Sequence, residues 1–187
     1  HSPVDDSQAL AETMAAPSEP GGGDVVEVRA SLAGTELDHF QIEALLGRGG
    51  MGEVYAATDT SLDRPVAIKV LRADVTAREG MEERFLREAR AQARLNHPNI
   101  VHIYFIGHRH AAGGAESLYF AMERVPGGDL EDVLKSGETM PPEDARLAMI
   151  QVAQGLRAAQ RAGVIHRDIK PSNLMVSEHG AIKIADF

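Results

Sequence analysis

No cysteine occurs in the 187 residues, which excludes disulfides and thiolate-held metals and fits a reducing compartment. No apolar run approaches the ~18–20 residues that span a bilayer, so the chain holds no membrane segment of that kind. The start lacks the basic stretch and apolar core of a secretory signal. No basic stripe marks nucleic acid as a partner, and no repeat marks a solenoid. What is present is ordinary globular material, 43% hydrophobic and 25% charged. The net charge of −9 is concentrated at the front: residues 1–36 carry −6, leaving −3 for the rest. His1 is not a methionine and Phe187 stands inside a motif, so both ends read as cut.

Residues 1–36 are rich in Ala, Ser, Pro, Gly and acids, and the expectation is a disordered acidic leader. Val25-Val26-Glu27-Val28 within it could form only a transient strand. From Phe40 the pattern changes. Phe40, Ile42 and Ala44 alternate with polar or outward positions, which predicts a half-buried strand. A glycine-rich turn follows, then strands at Val54–Thr58 and Val66–Leu71. A helix is predicted over 78–95, with Met81, Phe85, Ala89 and Ala93 on one face and Glu83 four residues before Arg87. Strands at Ile100–Ile106 and Leu118–Met122 complete a five-stranded antiparallel sheet with one helix. His108 and His110 fall in the loop between them. Beyond Gly127-Gly128, Asp129 caps a short helix, and Pro142 opens a long one ending before Gly163. Its stripe is Ala145, Ala148, Met149, Val152, Leu156 and Ala159. Two short strands, 174–176 and 181–184, finish the chain.

Gly47-Arg48-Gly49-Gly50-Met51-Gly52 matches G-x-G-x-x-G. A dinucleotide-binding turn needs a helix directly after the glycines, whereas the following residues alternate as a strand. A Walker A loop needs Gly-Lys-Ser/Thr, and Gly52 precedes Glu53. The motif therefore reads as a glycine hairpin, either a plain tight turn or one whose backbone can approach phosphates. Lys69 lies in an otherwise apolar strand, where a lysine needs an anion or must reach out along an edge. Glu88 on the following helix is the candidate partner, preferred over Glu79, Glu82 and Glu83 because these crowd the helix start.

The segment His166-Arg167-Asp168-Ile169-Lys170-Pro171-Ser172-Asn173 follows the long helix and precedes a strand pair ending at Asp186-Phe187. With the glycine hairpin and Val66-Ala67-Ile68-Lys69 ahead of it, the chain resembles a eukaryotic-type serine/threonine protein kinase domain. The glycine loop and the Asn-His-Pro-Asn-Ile-Val segment look most like bacterial members. The resemblance implies an α+β, bilobal fold: an N-lobe over 37–122, a hinge over 123–128, and an incomplete, mainly helical C-lobe over 129–187. It implies ATP and Mg²⁺ as cofactors, a protein substrate with a serine or threonine acceptor, and a cytoplasmic location.

Residue roles follow from the same resemblance. Leu46 and Val54 would flank the glycine loop, with Val54 and Ala67 sandwiching adenine. Gly47, Arg48, Gly49, Gly50, Met51, Gly52 and Glu53 would cover the phosphates. Lys69 would contact the α- and β-phosphates, held by Glu88. Met122 would stand beside the pocket as gatekeeper, and the backbone of Glu123 and Val125 would meet adenine. Asp168 would be the catalytic base and Lys170 would steady the γ-phosphate. Asn173 and Asp186 would hold the metal, whose preference is for hard oxygen ligands. His97 and His166 read as structural hydrogen-bonding residues.

The family continues past Phe187, and without that part Val152 and Leu156 are expected to lose cover. As it stands, the chain is expected to bind nucleotide poorly and to phosphorylate inefficiently. The competing reading is a pseudokinase or scaffold module. Lys69, Glu88, Asp168, Asn173 and Asp186 are all in place, which argues against loss of catalysis by substitution. Dimerisation is not legible in the sequence.

Overall fold

Phe40 and Ile42 are buried while Gln41 and Glu43 are exposed, and this alternation begins a strand. The computed structural model describes residues 31–187 except 78, 111–115 and 138. Among these, strands β1 (Glu36–Leu37), β2 (Phe40–Arg48), β3 (Gly52–Asp59), β4 (Arg64–Leu71), β5 (Ile103–His110) and β6 (Glu116–Glu123) form one antiparallel sheet. The order is β1-β2-β3-β4-β6-β5, one strand more than the sequence predicts.

The extra strand revises the leader boundary. Residues 31–36 are not a disordered tail: Gly34 N–H donates to Ile42 O, and Ile42 N–H to Thr35 O, both at 2.9 Å. Leu32 and Leu37 then pack on the core of Phe40, Ile42, Tyr55, Ile68 and Tyr119. The apolar stretch Val25–Val28 lies outside the described residues. The alternation of β2 stops after Ile42, because the pairing with β3 shifts register between Ile42 and Ala44. Ala44 is consequently exposed rather than on the buried face.

The sheet has two apolar faces. One holds the cluster just named. The other packs helix α2 (Met81–Ala93) through Phe85, Leu86 and Ala89 onto Leu71, Ile103, Leu118 and Phe120. The predicted helix begins later than residue 78, since Gly80 stands at its N-cap with φ 74°, and a separate turn, α1 (Ala73–Thr76), precedes it. A same-helix ion pair joins Arg84 to Glu88 at 3.0 Å. His108 and His110 belong to β5 rather than to a loop, and His108 Nδ1 lies 3.1 Å from Glu116.

Past β6, Asp129 caps α3 (Leu130–Lys135), its carboxylate accepting from Asp132 N–H at 2.9 Å. Pro142 opens α4 (Pro142–Arg161), and Gly163 follows it with φ 76°. Strands β7 (Leu174–Val176) and β8 (Ile182–Ile184) pair antiparallel. Val152 is 1% exposed, covered by Leu174, Ile182 and Ile184, so its expected loss of cover does not occur. Leu156 is half-buried against the same cluster. Met149 is the misplaced member of the stripe: it is 57% exposed, because β7 and β8 meet the face of α4 carrying Ala148, Val152, Gly155 and Ala159. Gly155 is needed there, as a Cβ would stand 2.9 Å from both Asn99 O and Ile184 Cδ1.

The two parts meet through the segment before β5. Residues 100–102 are not a strand of the large sheet, as the sequence predicts. Instead Ile100 forms a parallel bridge with Ile184, with Ile184 N–H donating to Asn99 O and Val101 N–H to Ile184 O at 2.9 Å.

Candidate active site

Directly opposed residues of an antiparallel pair share a face of the sheet. Val54 opposes Lys69, and Ala67 opposes both Ala56 and Met122. Since Ala67 and Lys69 are two apart on β4, the side chains of Val54, Ala67, Lys69 and Met122 lie on one face. Gly47 opposes Val54 and Arg48 opposes Glu53 at the glycine hairpin. That turn is closed by Gly49 N–H to Gly52 O at 2.8 Å and by the reverse bond at 3.3 Å. Gly52 is forced by packing: a Cβ there would lie 2.1 Å from Val70 O. Around Gly47 and Gly50 a Cβ would meet nothing within 4 Å, so this side of the hairpin is open. Arg48 Nε pairs with Glu53 at 3.0 Å across its mouth, while Leu46 and Met51 project outward, 54% and 57% exposed.

The segment from His166 to Asn173 is held from beneath. His166 is buried; its Nδ1 accepts from Asp168 N–H at 3.2 Å and its Nε2 donates to Ala185 O at 2.8 Å. Its ring lies 4.7 Å from that of Phe187. Ala185 N–H donates to Asn173 O at 2.9 Å, which ties the loop to the residue before Asp186. Asn173 Nδ2 donates to Asp168 O at 2.8 Å and to its Oδ2 at 3.3 Å. Lys170 Nζ is 2.8 Å from Asp168 Oδ2. That hydrogen bond, ahead of any other influence, holds the Asp168 carboxyl below its ordinary value, and the same contact raises Lys170. Arg167 and Asp186 take left-handed backbone conformations, φ 65° and 59°. Such conformations in residues other than glycine concentrate at functional sites.

A side-chain contact also joins the sheet to the end of the chain. Lys69 Nζ lies 2.7 Å from Asp186 Oδ1, across 117 residues of sequence. The lysine side chain is 17% exposed and the carboxylate 44%. The expected Lys69–Glu88 pair is not formed. Asp186 takes the ammonium instead, and Glu88 accepts from Arg84 Nε one turn earlier on α2. Glu123 and Val125, the expected hinge residues, are half-buried just beyond Met122.

Lys170 and Asn173 thus meet at Asp168, Asn173 is tied through its backbone to Ala185 beside Asp186, and Lys69 reaches Asp186 from the sheet. Among the described residues no three His, Cys, Asp or Glu side chains cluster as a metal nest. The oxygen donors of Asn173 and Asp186 are of the hard type that suits a magnesium ion sharing its coordination with water and phosphate. A separate surface cleft of about 300 Å³, between the ends of α2 and α4, holds none of these residues. The sequence reading gives no role to Lys183, although it carries the signal that singles out Lys69, a lysine inside an apolar strand. Lys183 Nζ lies 2.8 Å from Glu123 Oε1.

Known proteins are similar to this chain over most of its length. A probable serine/threonine-protein kinase PknB of Bifidobacterium longum is 45% identical over 152 residues, 79% of this chain and 22% of that protein. Serine/threonine-protein kinase PknB of Mycobacterium leprae is 41% identical over 150 residues, 80% and 24% respectively. The chain therefore spans under a quarter of the length of these curated relatives. In solved structures, a point mutant of the PknI kinase domain of Mycobacterium tuberculosis superposes with a TM-score of 0.72 at 29% identity, covering 84% of this chain and 62% of that one. The family generally uses ATP and a divalent metal, and acts on proteins. Residues 40–187 match the protein kinase domain, and with the glycine hairpin, the lysine strand and the Asp168 loop in these positions, the chain belongs to the protein kinase domain family.

Proposed function

We propose that this chain carries the nucleotide-binding and catalytic-loop portion of an ATP- and Mg²⁺-dependent kinase acting on serine or threonine hydroxyls of proteins. The contact that supports this most is Lys69–Asp186, which sets a cation from the sheet against the carboxylate beside the catalytic loop. Residues 37–122 form the upper lobe, 123–128 the hinge and 129–187 the part of the lower lobe present. The reaction belongs to the ATP-supplying cytoplasm.

Each group has a task that its chemistry suits. Val54 and Ala67 offer an apolar face to adenine, with Met122 at its edge and the backbone of Glu123 and Val125 for hydrogen bonding. The open glycine hairpin, from Gly47 to Glu53 beside Leu46, lets backbone N–H groups approach phosphate oxygens. Lys69 offsets the charge of the α- and β-phosphates. Asp168, kept ionised by Lys170 and Asn173, accepts the proton of the attacking hydroxyl. As the bond from that oxygen to the γ-phosphorus forms, the bond to the bridging oxygen breaks and ADP departs. Lys170, within hydrogen-bonding reach of Asp168, faces the same point and offsets the charge of the moving phosphoryl group. Asn173 and Asp186 would hold Mg²⁺, whose contribution when bound is to neutralise phosphate oxygens. With Asp186 engaged in that way Lys69 would need another carboxylate, and Glu88, paired here with Arg84, would be the candidate.

The test is phosphoryl transfer from ATP in the full-length protein. Lys69→Met and Asp168→Asn are each expected to lower kcat at least about 100-fold, the scale of a general base or key charge removed. Parental rates in both variants would end the assignment. Nucleotide binding without transfer in the parent would favour the pseudokinase reading.

A further inference from the structure

Lys183 and Glu123 come from opposite parts of the chain and meet in two contacts, 2.8 Å to Oε1 and 3.1 Å to Oε2. Their side chains are 17% and 25% exposed, so most of each has left solvent. An ammonium so placed needs its anion, because an unpaired, largely desolvated charge is costly. Glu123 Oε2 also accepts from His102 N–H at 3.4 Å, and Glu123 N–H donates to His102 O at 2.8 Å.

These contacts close a ring. From Lys183 the chain passes to Ile184, which is hydrogen-bonded through its backbone to Asn99 and Val101. The next residue, His102, is bonded to Glu123, and the Glu123 carboxylate returns to Lys183. Glu123 ends β6 and begins the hinge; Lys183 lies three residues before Asp186. The only side-chain-to-side-chain link of the ring therefore ties the segment beside adenine to the strand that delivers the metal-side carboxylate. The Lys183 ammonium is held by the Glu123 carboxylate, whereas Lys69 is held by Asp186 and Lys170 by Asp168.

We propose that the Glu123–Lys183 pair is an interlobe strap that sets the spacing between the purine end and the phosphate end of the nucleotide site, with Lys183 as a positioning residue. The inference rests on the kinase reading above. Its signature is a change in nucleotide affinity with the chemical step preserved, because Lys69, Asp168 and Lys170 keep their own contacts.

The test compares KM for ATP, kcat and nucleotide-free melting temperature in the full-length protein. Lys183→Met should raise KM for ATP about 5- to 10-fold, the loss expected from one partly buried charge pair, with kcat within about twofold. Lys183→Arg, which keeps the charge, should recover most of the affinity. Glu123→Gln combined with Lys183→Met should bind no worse than Lys183→Met alone, as both remove one interaction. A lower melting temperature with unchanged KM would reduce the pair to a structural contact and overturn the proposal. So would a fall in kcat at constant KM. If Lys69→Met abolishes transfer while Lys183→Met behaves as the parent, the strap fails and the kinase reading stands. Absence of any ATP turnover or binding in the parent would remove both.

Discussion

Replacing Asn99 tests how the lower strand pair is held beneath the site. Ile182 pairs with Val176 on β7, and on its other side its backbone meets two side-chain amides. Its N–H donates to Gln151 Oε1 at 2.9 Å, and its C=O accepts from Asn99 Nδ2 at 2.8 Å. Asn99 Nδ2 also donates to Gln151 Oε1 at 3.1 Å. Asn99 is 6% exposed, so water cannot readily replace it. Asn99→Ala removes two hydrogen bonds and strands the carbonyl of Ile182. With ~1 kcal/mol per bond and a further ~1 kcal/mol for the orphaned acceptor, the loss is about 2–3 kcal/mol. Asn99→Asp should cost more, since a carboxylate would face two acceptor oxygens. Urea unfolding is the assay. With a slope of about 1–3 kcal/mol/M, the alanine variant should move the midpoint down by about 1 M or more. A loss under about 0.5 kcal/mol for the alanine variant would show that β8 does not depend on this amide pair.

Two further outcomes follow from the geometry. Because the Lys170 hydrogen bond depresses Asp168, the carboxylate stays ionised to lower pH than an ordinary aspartate. Its contribution to stability is therefore present above the unfolded value and lost as pH falls through the depressed folded one. In Lys170→Met the Asp168 titration, followed by carboxyl-carbon NMR, should move upward towards the usual range; no upward movement would refute the pairing. Gly52→Ala must push β3 away from Val70 O, because its Cβ would start 2.1 Å from that oxygen. It should destabilise the protein by about 1–3 kcal/mol in thermal or urea unfolding, whereas Gly50→Ala, with nothing within 4 Å of its Cβ, should cost far less.

Local chemistry carried the reading where one segment of chain supplies all the information. The glycine hairpin, the lysine strand and the loop from His166 to Asn173 were legible because their residue types and spacing express backbone geometry and charge within a few positions. Cap signals worked for the same reason: Asp129 accepts from the N–H of Asp132 within one turn, and Pro142 stands in the first turn, where its missing N–H costs no helical bond. The buried stripe of α4 was mostly legible, but Met149 was not, because periodicity defines a face while the neighbour that covers it decides how wide the face is.

Partnerships between distant segments depended on the fold. Lys69 had several acids within reach on paper, and the choice of Asp186 over Glu88 was made by where α2 sits and by Arg84 competing one turn away. The extra strand at Glu36–Leu37 and the diversion of residues 100–102 to β8 likewise reflect which edges had open backbone groups. The Lys183–Glu123 pair is of the same kind. Sequence alone determined which residue types this chain brings to its candidate site, since composition and spacing are local properties. Tertiary structure decided which charge faces which, since Coulombic and hydrogen-bond energies depend on distances that only chain packing sets.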